Sequence, residues 1–426
     1  MPSVAVHTRQ FARLCKATAL SMGMPNLRQA YTPHPVVDQS AANLRAYVDG
    51  ADAISGRPFM QEVLEGLTAP LDDADIQGLS FERTTPRLLA PDTEDNLQRL
   101  FEDNRWTDCL PIVLPTEARV EAMLKGTSHP PDTIVGRLRP TVFREAWEFT
   151  VEKVAVNAVM AGARPEYFPV ILALAASGIT ARSSSTTSFA AITVVNGPIR
   201  NEITMNSGIG AMGPYNHANA TIGRAYGLLS QNLQGGSVPG DTYMGSSGNW
   251  YAYTAVLPEA EERSPWQPLH VQKGFKPTES IATVFFGGWY THAGYGPRAT
   301  WKEKMRHALA AVEQYSPPLF VMDPIVARGF VKLGFDTKEK LIDWCAENAL
   351  LTAREYWDNQ SIQLLRPKAV AGIEPYASRL KADPDDVITI YEPSDINIVV
   401  AGGETQGAWK MISGALRATV SIDAWR

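Results

Sequence analysis

The chain has 426 residues, 45% apolar and 20% charged, a globular composition with enough length for two or three cores. A formal net charge of −6 and a pI near 5.7 lack the basic face that general nucleic-acid binding requires. The longest strongly apolar stretch, Phe168 to Ala176, is too short to span a bilayer, so neither nucleic acid nor membrane is an expected partner.

The N-terminus, MPSVAVHTRQFARL, has no basic region leading into an apolar core and a small-residue cleavage site, and it predicts no secretion signal. Cys15, Cys109 and Cys345 are far apart, without CxxC or metal-knuckle spacing. Sparse, odd cysteines fit a reducing compartment, and each is expected to pack as a buried small hydrophobe. The expected location is the cytoplasm.

Residues 2–8 predict a short strand, and residues 9–22 a helix with Phe11, Leu14, Cys15, Ala19 and Met22 at helical spacing. LRQAYTPHP then reads as a strand ending in a Pro-bounded turn. Residues 1–67 thus form a partial α/β unit that completes either another part of this chain or a partner. Residues 68–92, rich in Pro and Asp, predict a linker. Beyond it, Asp92–Asn104 and Glu117–Lys125 predict helices, the second capped by Thr116 and ended by Gly126. Arg144–Ala161 predicts one long helix and Glu166–Ser177 another, hairpinned around Gly162.

From 179 to 290 Ser, Thr, Asn and Gly dominate, with short strands at Ala190–Val195, Tyr251–Val256 and Ile281–Phe286 and a helix at Ala218–Leu233. After 296 the pattern turns helical again, at Thr300–Gln314, Pro324–Leu333 and Lys338–Trp357. The chain closes with the strand INIVVAGG and a Gly-punctuated tail. The expected fold class is mixed α/β: a short N-terminal α/β unit, a loop-rich α+β domain over 93–295, and a helical and α/β region over 296–426.

The Gly/Asn-rich stretch is the first candidate for chemistry. Gly permits close backbone approach, and Asn offers a donor and an acceptor together. Asn196, Asn201, Asn206, Asn216 and Asn219 could line a neutral polar cup for an anionic or zwitterionic substrate, with Arg224 as a bidentate clamp. Turn and cap duty in a loop-rich fold explains the same residues. GxGxxG, Walker and GxSxG fingerprints are absent.

The second candidate is PEAEERSPWQPLH at 258–270, which gathers Glu259, Glu261, Glu262 and His270. Glu262 with His270 suits general acid/base work at neutral pH. His217 and His270 with a carboxylate could instead hold a divalent metal such as Zn or Fe. A solvated charge run and a packed core histidine are the plain alternative.

VAVHTRQFARLCKATALSMGMPNLRQAYTPHP, within residues 2–35, resembles the end of the UGSC family domain, whose members carry a [U/C]-G-S-C motif with selenocysteine or cysteine. The same strand, helix and PHP turn resembles the end of the selenoprotein subunit of glycine and betaine reductases. NRWTDCLPIVLPTEARVEAMLKG, EKVAVNAVMAGARPEY, NGPIRNEITMNSGIGAMGPYNHANATIGRA and SPWQPLHVQKGF, within 104–290, resemble a poorly characterised bacterial family often labelled thioredoxin-like reductase.

This chain has neither CGSC nor UGSC. The resemblance therefore implies that the thiol or selenol is lost, or that a small partner subunit bearing Cys-Gly-Ser-Cys supplies it. The leading expectation is an oligomeric enzyme subunit, a reductase or lyase that cleaves or reduces a carbon–heteroatom bond in a small polar organic acid or amine. A stand-alone metal-dependent lyase or hydrolase and a non-catalytic scaffolding subunit are the alternatives.

Overall fold

The structure, a computed structural model, describes residues 3–21, 24, 26–36, 39–70, 86–137, 148–182, 188–213, 215–235, 238–239, 243, 245, 247–249, 255–312, 314–358 and 362–426. It is mixed α/β throughout. At the N-terminus β1 (Ala5–Thr8) and β2 (Gln29–Thr32) pair in parallel, with Ala5 opposite Gln29. A parallel pair needs a crossover, which the turn Arg9–Phe11 and the helix Ala12–Ser21 supply. Two more helices follow, Ala41–Asp49, capped by Ser40, and Phe59–Thr68. Among the described residues Ala19, Ala30, Tyr31 and Phe59 are the buried apolar ones here, whereas Val6 and Leu64 stay 52% and 56% exposed.

The expected linker at 68–92 falls partly outside the described residues; residues 86–92 carry neither helix nor strand. The expected helices at 92–104 and 117–125 form as Glu94–Asp103 and Glu117–Leu124. Thr116 stands at the cap position of the second without a side-chain capping bond. Residues 144–147 of the expected long helix lie outside the described residues. The remainder divides, because β4 (Glu148–Thr150) pairs with β3 (Ile134–Arg137) before the helix Val151–Met160 begins under a Thr150 cap. Ladder pairing therefore overrides helical spacing at its start. Gly162, at φ +78°, turns the chain toward the helix Phe168–Ala176.

The body is organised on one sheet. Its strands are β5 (Ala190–Asn196), β6 (Val256–Pro258), β7 (Ile281–Tyr295) and β8 (Pro318–Met322), followed beyond a small β9 (Leu350–Thr352) and β10 (Val387–Thr389) ribbon by β11 (Asn397–Val400) and β12 (Ala408–Ser421). The order is β11-β8-β12-β7-β5-β6, with β5/β6 and β8/β11 parallel and the other neighbours antiparallel.

Side chains alternate faces along a strand, and the core follows that alternation. Ile192, Val194, Phe285, Leu319, Val399 and Ile412 pack together on one face. That grouping requires the sheet to curl, because β5 and β11 are far apart in strand order. The curl brings the edge strands together at their C-terminal ends, where Ala260 N–H donates to Val400 O at 2.7 Å. The opposite face is covered in two halves. Ala191 and Val195 pack with the helices Val151–Met160, Phe168–Ala176 and His217–Asn232. Phe320, Met322 and Ile398 pack with Trp301–Ala310, Pro324–Lys332 and Lys338–Asn348.

The expected strand at 251–256 lies largely outside the described residues. The expected helix Lys338–Trp357 is interrupted by β9, after which Ala353–Trp357 forms a separate short helix. The Gly-punctuated tail is the long strand β12. Among the described residues no helix is long and apolar enough to cross a membrane.

Candidate functional site

Where the edges of the curled sheet meet, polar side chains converge in the core. Asn196 ends β5 and Glu259 directly follows β6, and the parallel register sets Val195 beside Pro258. Asn196 Nδ2 donates to Glu259 Oε2 at 2.8 Å and to Glu261 Oε1 at 3.0 Å. Lys338, the first residue of its helix, donates Nζ to Glu259 Oε1 at 2.8 Å. Backbone N–H of Leu269 and Val400 complete the shell, at 2.7 and 3.4 Å. Glu259 is fully buried, and this dense donor set is what a buried carboxylate needs.

His270 is also fully buried, on the short helix Leu269–Gln272. Its Nδ1 lies 4.0 Å from Glu261 Oε1, and neither ring nitrogen has a hydrogen-bond partner among the described residues. Asn196 Oδ1 is buried and unpartnered as well. Buried polar atoms left unpaired cost about 1–3 kcal/mol each, so such a group calls for a functional explanation.

Arg200 closes the outer side of this cluster. Gly197, at φ +86°, makes the turn into Ile199–Glu202, and a Cβ there would lie 2.1 Å from Glu279 O, so only glycine fits. Arg200 donates to Gly197 O at 2.9 Å and Glu259 O at 2.6 Å, and its Nε lies 3.0 Å from Glu261 Oε1. Its Nη2 and Nη1 fork onto Glu262, at 2.9 and 3.3 Å, and Asn201 Nδ2 joins at 3.1 Å. The Arg200 bond pulls the Glu262 carboxyl down to about 2.

The structure therefore brings Asn196, Asn201, Glu262 and His270 to one cluster but assigns them differently. Glu262 faces Arg200 and solvent, whereas the carboxylate beside His270 is Glu261.

The other asparagines are engaged with the chain itself. Asn216 caps the helix His217–Asn232 by accepting from Asn219 N at 2.9 Å. Asn219 accepts from Asn206 N at 3.1 Å and donates to Asn206 O and Ala211 O at 3.0 and 3.2 Å. Asn206 accepts from Gly208 N and donates to Ile209 O, both at 2.8 Å. Their amides pin a loop onto a helix.

The Arg224 fork is occupied by Asp108, with Nε and Nη2 at 3.0 and 2.9 Å. Burial alone would raise the Asp108 carboxyl, but the Arg224 bonds outweigh it and hold it below the usual carboxylate range.

His217 stands apart from His270 in its contacts. Its ring is 5.7 Å from Tyr167, and burial together with nearby Arg164 lowers its pKa. Among the described residues no group of three or more His, Cys, Asp or Glu side chains is placed to hold a metal ion. The donor set needed for a His217–His270 metal centre is therefore not assembled there. Cys345 is buried, and burial pushes its thiol up. Cys109, in contrast, is exposed at a φ of +62°.

Residues 1–54 match the UGSC family model. No curated protein matches the chain. The match covers β1, β2 and the helices around them, outside the buried cluster.

Arg200 and Lys338 went unread in the sequence. Nothing local distinguishes Lys338 from the surface lysines near it; only the fold carries it to Glu259, 79 residues away in sequence. Arg200 had a signal, since a Gly-Pro turn directly after an apolar strand often places a side chain at a sheet end.

Proposed function

We propose that this chain is the acid/base-bearing subunit of an enzyme that cleaves or reduces a carbon–heteroatom bond in a small polar organic acid or amine. The observation that carries the reading is His270, an imidazole free of hydrogen-bond partners among the described residues, 4.0 Å from Glu261. An imidazole can both take and return a proton. Glu261, held by Asn196, Gly197 N–H and Arg200, is the carboxylate set beside the ring. Glu259 and Lys338 fix the scaffold beneath it.

The reactive thiol or selenol is assigned to a partner chain. Two features support this: residues 1–54 match the UGSC family model, and this segment presents Val6, Met24, Leu44 and Ile54 to solvent. Exposed apolar side chains on a small unit favour association. On this reading the chain alone is inactive, and the complex isolated from its host turns over substrate. Turnover by the isolated chain without any thiol-bearing partner would overturn it.

A further inference from the structure

A cleft of about 180 Å³ lies against the same elements that bury the acid/base cluster. Its walls include Lys273, three residues beyond His270, and Glu339, the residue after Lys338. Ile342 and Ile396 give it an apolar floor, both largely buried, and Ser394 and Asp343 stand at its rim. The cleft has slightly more room than an apolar cavity of about 150 Å³ that takes up benzene, enough for a ligand of a few heavy atoms.

Its charges are arranged unusually. Gln272 Nε2 donates to Glu339 Oε1 at 2.6 Å, so that carboxylate is engaged. The Lys273 ammonium and the Asp343 carboxylate have no ion-pair or hydrogen-bond partner among the described residues. Both residues line one cleft yet do not pair with each other. Burial and the neighbouring Lys338 charge both press on Lys273 toward losing its proton, so it lacks the anion that would stabilise it. A monovalent ion would satisfy only one of the two.

We propose that this cleft binds a small zwitterion, its carboxylate on Lys273, its ammonium on Asp343 and its short carbon chain over Ile342 and Ile396. The inference deepens the proposed function by naming a substrate class, and it rests on that reading for the link to His270. Binding itself is read without turnover, so failure here is distinguishable from failure of the acid/base assignment.

The test is calorimetric titration of the purified full chain with β-alanine, 4-aminobutyrate and 6-aminohexanoate, and with the amine and the carboxylate of each chain length. The expected result is saturable one-to-one binding of at least one amino acid, roughly tenfold tighter than either of its monovalent counterparts. Lys273→Gln and Asp343→Asn are each expected to weaken it by about 5- to 10-fold, in keeping with partly exposed ion pairs. Unchanged thermal unfolding verifies that both variants fold. No saturable binding by any of the amino acids, equal binding of the amine or carboxylate, or indifference to both substitutions would each overturn the proposal.

Discussion

Lys338 Nζ and Glu259 Oε1 lie 2.8 Å apart with both side chains shut off from water, tying a helix start to the end of β6. Such a pair is worth little against a well-packed apolar substitute, but breaking it by removing one partner leaves a bare charge in the core. Lys338→Met is expected to cost about 3–5 kcal/mol, read by urea denaturation. Adding Glu259→Gln should recover part of that loss. A single-variant cost below about 1 kcal/mol would show that the pair does not hold the site together.

Glu262 gives a pH signature. Its folded pKa of about 2 lies below the ordinary glutamate value, because Arg200 bonds to the ionised form. The stabilisation is therefore fully present above the unfolded pKa and disappears as pH falls from about 4.5 toward 2. With the Glu262 side chain 60% exposed, solvent screening limits it to about 1 kcal/mol or less. The stability gap between wild type and Glu262→Gln should be constant above pH 5 and shrink below 4.5. A gap independent of pH would contradict the Arg200 fork.

Arg224 and Asp108 form a two-point, mostly buried bridge that also ties Arg224 to Pro111 O at 2.8 Å. Arg224→Ala should destabilise by about 2–4 kcal/mol, with Asp108→Asn reproducing much of the effect. Arg224→Lys should recover little, because an ammonium cannot reproduce the fork. If Arg224→Ala keeps wild-type stability yet loses binding of anionic ligands, the guanidinium is a substrate clamp after all.

The sheet depends on where glycine allows strands to cross. A Cβ at Gly287 would meet Ser413 O at 2.2 Å, beside the irregular register of β12 between Ile412 and Gly414. Gly178, at φ +70°, meets nothing within 4 Å. Gly178→Ala should cost about 1–2 kcal/mol from left-handed strain alone, whereas Gly287→Ala should cost several and lower soluble yield. Equal melting temperatures for the two variants would contradict this placement of β7 against β12.

These contrasts explain what the sequence could convey. Pro324–Leu333 and Ala218–Leu233 are legible because their apolar spacing has one period and their ends carry caps or breakers, and Ala190–Val195 because a β-branched apolar run stands between turn-rich segments. β8 was not read: five residues between helices, PLFVM, show no alternation when both faces are buried. β12 was hidden because its glycine and small residues, needed for close packing on β7, imitate turn signals. At the site, the carboxylate–imidazole cluster was visible in PEAEERSPWQPLH, but which Glu faces His270 depends on Arg200, and that is tertiary information. The asparagines were visible as a group, yet a cap, a loop pin and a ligand contact look alike in sequence; Asn196 alone of them ends a core strand with a buried, unpartnered oxygen.

The most direct measurement is mass spectrometry of what the tagged chain holds when drawn from its native host under mild reduction, run beside a Val6→Lys/Leu64→Lys variant. The expected result is a stoichiometric small subunit carrying Cys-Gly-Ser-Cys or its selenocysteine form with wild type, absent from the variant, and activity only in the fraction that contains it. A lone chain that turns over substrate unaided, with the variant equally active, would contradict a thiol-supplying partner and leave the His270 cluster to act within a single polypeptide.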